Sequence, residues 1–296
     1  MKDFVSFLTF ISLFTMVSCT NQKENNQSNQ SSCCINLPMD AAVVAPNDVL
    51  ASVNLTVSEG KRLIAKGIAN SPEVRERMEK GIIIITRGTT NTYLAEELVG
   101  IQEPHGTFLT GHFVPVGAKR VGTGVEKKLT EIIIVNGKTI EASYEEGLRM
   151  LKEGDLIFKG GNLLNYAKQQ AGVCVGAPDG GTVYRLLPYV GEKKAKLIVP
   201  IGLEKDTSFD LNLIQKNLNQ KNEKQCSLPK IFLYEGVTIY TEIEALQQFA
   251  NVKVFPYGIG GVNGREGGIS LVIAGSSEEV NKALEVVKLI QGEHSF

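Results

Sequence analysis

Short apolar runs rich in β-branched residues alternate along this chain with stretches of helical periodicity. The clearest unit spans Gly81 to Gly100. Ile82–Ile85 is a continuous apolar run, Thr86-Arg87-Gly88-Thr89-Thr90-Asn91-Thr92 interrupts it, and Tyr93–Val99 has a helical pattern. A short apolar run bounded by turn residues is the signature of a strand buried on both faces. Comparable runs occur at Thr130–Val135, Asp155–Lys159, Val173–Gly176, Lys196–Ile201, Thr238–Tyr240, Val252–Phe255 and Ile269–Ala274, and Phe108–Val116 also reads as extended. Ile64 and Ile68 share one helical face within Lys61–Ile68. Ser71-Pro72-Glu73 places a hydroxyl at the N-cap, proline at the first position and an acid in the first turn. Ser143-x-x-Glu146 is a capping box, Thr241-Glu242-Ile243-Glu244 opens a further helix, and Ser276-x-x-Glu279 caps a final one running to Gln291. Asn136-Gly137 is a tight-turn signal. Strands alternating with helices predict an α/β fold with a mixed or largely parallel sheet and flanking helices, in one domain or two subdomains.

The pattern changes at both ends of this region. Phe4–Val17 is apolar behind Lys2, too short for a membrane span of about 20 residues, and it suits a signal-peptide core. Met16-Val17-Ser18-Cys19 resembles a bacterial lipobox, which implies cleavage after residue 18, lipidation of Cys19 and an extracytoplasmic, membrane-anchored protein. Thr20–Ser32 has no apolar residue and reads as a disordered tether, so residues 19–44 are assigned to a linker. A main α/β domain is expected at 45–205, an Asn/Gln/Lys-rich insertion at 206–230 and a C-terminal α/β subdomain at 231–296. The 31 basic and 32 acidic residues nearly cancel, which leaves no electrostatic footprint for nucleic acid. Cys33, Cys34, Cys174 and Cys226 allow three disulfide connectivities and show no zinc spacing. His105 and His112 lack the helical spacing of a metal pair, so any metal would be held through oxygen, which suits manganese, magnesium or calcium.

The candidate chemistry sits where apolar runs end in glycine and polar residues, because the carboxyl ends of strands gather at one edge of an α/β sheet. Gly88, Thr89 and Thr90 would offer the free amides of a helix N-terminus to an anion, beside the forked guanidinium of Arg87. Lys159-Gly160-Gly161-Asn162 adds a point charge, a close-approach backbone and a carboxamide. Gly181 and Thr182, after Asp179-Gly180, form a second nest of the phosphate-binding kind. Glu242 and Glu244 diverge by about 200° on a helix, and Glu242 is the one expected to face the site. The glycine loop Gly258–Gly268 lacks a dinucleotide fingerprint and precedes a strand, so it reads as a ligand-covering loop whose charges are Arg265 and Glu266.

Taken in order, Arg87-Gly88-Thr89-Thr90-Asn91, Lys159-Gly160-Gly161-Asn162, Gly180-Gly181-Thr182, Pro200–Lys205, Thr241–Ala245 and Gly260–Gly267 resemble a conserved archaeal and bacterial family to which a manganese-dependent phosphatase activity has been assigned. The resemblance covers roughly residues 50 to 290. Two features depart from it: the lipobox with its tether, and Asn165 where the family pattern has Asp. The resemblance implies hydrolysis of a small phosphate ester. On the residues themselves, Glu242 with Asp179 or Glu266 would hold manganese or magnesium, while Arg87, Lys159 and Asn162 act on the phosphoryl group held by Gly88–Thr90 and Gly181–Thr182. The same anion sites would equally serve a non-catalytic, lipid-anchored receptor for a phosphorylated or carboxylated small molecule. Glycine loops that pack copies into a homo-oligomer are a third reading.

Overall fold

The computed structural model describes residues 42–101, 106–110, 117, 129–220 and 230–295. The signal segment, Cys19, the tether, Cys33, Cys34, His105, His112 and Cys226 lie outside the described residues. In chain order the elements are β1 (Val49–Leu55), α1 (Val57–Asn70), α2 (Pro72–Glu79), β2 (Ile82–Ile85), α3 (Thr89–Val99), β3 (Ile132–Val135), β4 (Lys138–Ile140), α4 (Tyr144–Met150), β5 (Leu156–Phe158), β6 (Leu163–Asn165), β7 (Gln170–Val175), α5 (Gly181–Gly191), β8 (Lys196–Pro200), a single 3-10 turn (Leu203–Lys205), α6 (Leu211–Leu218), β9 (Lys230–Leu233), β10 (Thr238–Tyr240), α7 (Glu242–Phe249), β11 (Lys253–Ile259), β12 (Ile269–Gly275) and α8 (Ser277–Ile290).

The fold is α/β, built on a mixed six-stranded sheet in the order β10-β8-β5-β2-β3-β4. Strands β2, β5, β8 and β10 are parallel, while β3 and β4 close the far edge antiparallel. The four isoleucines of β2 are fully covered because each faces a helical layer. Ile82 and Ile84 pack with Tyr144 and Leu148 of α4, and Ile83 and Ile85 pack with Ile64 and Ile68 of α1 and with Leu94 of α3. The Asn136-Gly137 turn between β3 and β4 has positive φ at both residues, as a two-residue hairpin requires. The caps fall where expected: Ser71 accepts from the Val74 amide, and Ser143 with Glu146 and Thr241 with Glu244 form complete capping boxes.

Two small antiparallel sheets complete the structure, β1-β12-β11 and β6-β7-β9. Strands β1, β6 and β9 have no counterpart in the pattern read from sequence; β1 and β9 take their registers from distant partners, such as Val53 opposite Leu271, while β6 is a three-residue strand in a hairpin with β7. The expected insertion at 206–230 contributes α6, anchored by a buried Leu211. The segments 45–205 and 231–296 are interleaved: β10 extends the central sheet beside β8, and β12 pairs with β1. Among the described residues no helix is long and apolar enough to cross a membrane.

The parallel strands are laid down in a single sense, so the order never reverses to open a crevice of the doubly wound kind. Strand ends and the helices seated on them position the polar groups instead. Helix α1 meets α7 closely at Gly67, where an added Cβ would stand 2.7 Å from the Ala245 Cα and 2.8 Å from the Tyr240 hydroxyl. Alanine is normally the better helix former, but here the two backbones would have to separate. We expect Gly67→Ala to lose about 1–3 kcal/mol, the usual cost of overpacking. Urea unfolding measures this, and a variant as stable as the parent would contradict the close approach.

Candidate functional site

The ends of β2 and β5 are joined by one hydrogen-bond knot. The Thr86 amide and hydroxyl both donate to the Phe158 carbonyl, at 3.0 and 2.9 Å. The Asn91 side-chain amide donates to that carbonyl at 3.1 Å and to the Thr86 carbonyl at 2.7 Å. Asn91 is wholly buried, and its Oδ1 has no partner among the described residues. This knot holds the first turn of α3 against the strand ends. Gly88, the N-cap, carries no capping side chain, and its amide donates to the Phe108 carbonyl at 3.0 Å. The amides of Thr89, Thr90 and Asn91 are left without an acceptor among the described residues. Thr89 and Thr90 are the open donors expected from the sequence; Gly88, also expected, is engaged by Phe108, and Asn91 adds an amide that was not expected.

Charged groups gather at the same strand ends. Arg87 Nε donates to Glu131 Oε1 at 3.0 Å, and Glu131 is buried just before β3. The two terminal nitrogens of Arg87 and the ammonium of Lys159 have no hydrogen bond among the described residues. Lys159 retains some exposed area, yet its crowded surroundings push its pKa down to about 8; Glu131 opposes that shift and Arg87 adds to it. Tyr144, also beside Glu131, donates to the Thr182 carbonyl at 3.1 Å. Tyr234 donates to the Gly160 carbonyl at 2.9 Å. Burial raises both phenols well above their ordinary range and holds them as donors. Arg87, Gly88, Thr89, Thr90, Lys159 and Thr182 therefore share one neighbourhood. Glu131, Tyr144 and Tyr234, which link these residues, escaped the sequence reading because their partners, Arg87, Thr182 and Gly160, are distant in the chain.

Other expected residues are engaged elsewhere. Asn162 accepts from the Cys174 amide at 3.0 Å and staples β7, and Cys174 carries a free, half-buried thiol. Asn165 is buried at the end of β6, donating to the Phe209 carbonyl at 3.0 Å and accepting from the Lys168 amide at 2.9 Å. The nest expected at Gly181 and Thr182 already holds an anion from the chain itself. Asp179 accepts from the Gly181 amide at 3.0 Å and from Arg185 at 3.2 Å, and these two partners hold its carboxyl below the usual range. Glu266 accepts from the Gly264 amide at 2.9 Å within the exposed glycine loop. That loop lies beside the start of α1, since a Cβ on Gly267 would stand 3.4 Å from Val57.

Glu242 does point inward, but into a second cluster. It is buried at the start of α7 and accepts from the Leu203 amide at 2.9 Å. Its other oxygen faces α1 so closely that a Cβ on Gly60 would stand 2.6 Å away, while the Glu204 carboxylate folds over Gly202 beside it. Lys61 and Lys205 supply the balancing charge, with Lys205 bonded to Glu204 at 3.3 Å. Burial, then the neighbouring Glu204, raises Glu242 well above the carboxylate range. Burial and Lys205 push Lys61 down to about 8, against the pull of Glu204 and Glu242. Two carboxylates already faced by two ammonium groups do not fit a manganese or magnesium site. Among the described residues no three His, Cys, Asp or Glu side chains come together as metal ligands, so Glu242, Asp179 and Glu266 do not form a common set.

A carboxyl whose pKa rises on folding binds its proton more tightly in the folded state. Its stabilising contribution is complete below the unfolded value of about 4.3 and is lost as pH rises through neutrality. We expect the parent to lose more stability than Glu242→Gln between pH 5 and pH 8 in urea titrations. Parallel profiles would show that Glu242 ionises normally.

With this geometry in view, comparison with known protein families, curated proteins and solved structures yields no match, so the functional reading rests on the residues and their arrangement.

Proposed function

We propose that this chain binds a small phosphorylated or carboxylated molecule at the carboxyl ends of β2 and β5, and that a lipid on Cys19 tethers it to a membrane outside the cytoplasm. One observation carries the reading: among the described residues, three amides at the start of α3, the terminal nitrogens of Arg87 and the Lys159 ammonium have no acceptor at adjoining strand ends. Open donors with a local positive charge attract an anion, and a forked guanidinium matches its oxygens. Glu131 acts as the resting counter-ion of Arg87, and it keeps that side chain oriented. Tyr144 and Tyr234 pin the surrounding backbone through Thr182 and Gly160. Apart from Glu131, which is held by Arg87, these groups are donors, and among the described residues none is placed as a base beside an activated nucleophile, which favours capture over turnover.

Calorimetry with sulfate and inorganic phosphate tests the proposal. We expect Lys159→Met to weaken binding about tenfold, about 1.4 kcal/mol. Lys159 is charged below a pKa of about 8 and neutral above it. Sulfate keeps its own charge, so its affinity is expected to fall between pH 7 and pH 9.5 in the parent and to stay flat in Lys159→Met. Absence of binding by either ion sinks the proposal. Metal-stimulated hydrolysis of a phosphate ester, assayed with manganese and with magnesium, would replace capture with the phosphatase activity that the resemblance implies.

A further inference from the structure

An aromatic ladder runs from the anion site to the surface. Tyr234 is buried, and its hydroxyl donates to the carbonyl of Gly160, the residue after Lys159. Phe232, two residues earlier on β9, meets Tyr234 edge to face with ring centroids 5.9 Å apart. Phe232 in turn meets Tyr184 of α5 edge to face at 5.6 Å. Tyr184 lies over Gly180, where any Cβ would collide with its ring, and it is nevertheless 51% exposed. The turn beneath it is rigid: Asp179 caps the Gly181 amide, and Tyr144 holds the Thr182 carbonyl. An aromatic ring fixed on both its edge and one side, with area left open to solvent, is a preorganised stacking surface. Rings gain from offset or edge-on contact beyond simple area burial, and little rotamer freedom remains to be lost here.

Resting on the anion-binding reading above, we propose that the ligand is a phosphate monoester carrying a planar aromatic group, with its phosphate at the Arg87–Lys159 strand ends and its ring on Tyr184 and Phe232. The chemistry is that of an aryl phosphate or a nucleotide. Lys159 and Arg87 supply charge, and the ladder supplies a series of edge-to-face rings that leads from the Gly160 carbonyl to the exposed ring of Tyr184. Neither feature is used elsewhere: the Lys159 ammonium has no hydrogen bond among the described residues, and the exposed part of Tyr184 is left uncovered.

Calorimetry with phenyl phosphate, ethyl phosphate and inorganic phosphate separates the two readings. In the parent, phenyl phosphate is expected to bind about tenfold more tightly than ethyl phosphate, within the range of a single stacking contact. Tyr184→Ala is expected to erase that preference and leave ethyl phosphate affinity unchanged. Tyr184→Leu keeps an apolar side chain and guards against a packing effect; it too should lose the preference. Lys159→Met is expected to weaken both esters alike. Equal binding of the two esters, or a preference that survives in both Tyr184 variants, overturns the aromatic proposal while leaving the anion site intact. Failure of all three ligands to bind overturns both.

Discussion

The carbonyl of Phe158 is the point on which the candidate site depends. It closes β5, accepts both donors of Thr86 and also receives the Asn91 carboxamide. A buried carbonyl must find partners, and here they come from the residues that turn β2 into α3. Asn91 is spent on this knot, the helix begins with a glycine cap, and among the described residues nothing accepts from its first amides. Satisfying one strand end leaves the neighbouring helix end unsatisfied. That is the physical basis of the proposed anion site, and the knot joins the strand ends that carry Arg87 and Lys159.

Charge in this molecule is settled in two separate places. The Arg87–Glu131–Lys159 group has donors to spare and lies by the α4 and α5 layer, linked through Tyr144 to Thr182. The Glu204–Glu242 pair lies by α1 with Lys61 and Lys205 beside it. A buried carboxylate that gains its own ammonium partners has little left to offer a cation, whereas an ammonium group without a partner retains its pull on an anion. The contrast explains why the acids read as metal ligands and the basic groups read as phosphate ligands do not meet.

Glycine has a different purpose in each cluster. Gly60 and Gly202 give the two carboxylates room to approach, and Gly67 lets α1 and α7 come together. Gly88 withholds a cap from α3, while Gly180 gives Tyr184 a flat seat. The long glycine loop near Val57 stands apart, with Val262 79% exposed at its tip.

Much of the fold was legible in the chain because its signals are local. The β-branched runs, the caps at Ser71, Ser143 and Thr241, and the Asn136-Gly137 turn each act within a few residues, and they form as read except at Phe108–Val116, whose described residues 108–110 form no strand and whose remainder lies outside the described residues. The open amides of Thr89 and Thr90 were legible for the same reason, whereas the Gly88 amide is taken by Phe108. What the chain alone left open was partnership across space. Asp179 looked like a ligand until Arg185 and the Gly181 amide claimed it, and Asn162 until the Cys174 amide did. Glu131, Tyr144 and Tyr234 gained their roles only when distant strands brought them beside Lys159 and Gly160. Local patterning determined the elements and the unpaired helix end, because backbone hydrogen bonding and capping are short-range. Tertiary structure decided which charges are neutralised and which stay open, because a polar group's partner depends on how strands register and which helix covers them.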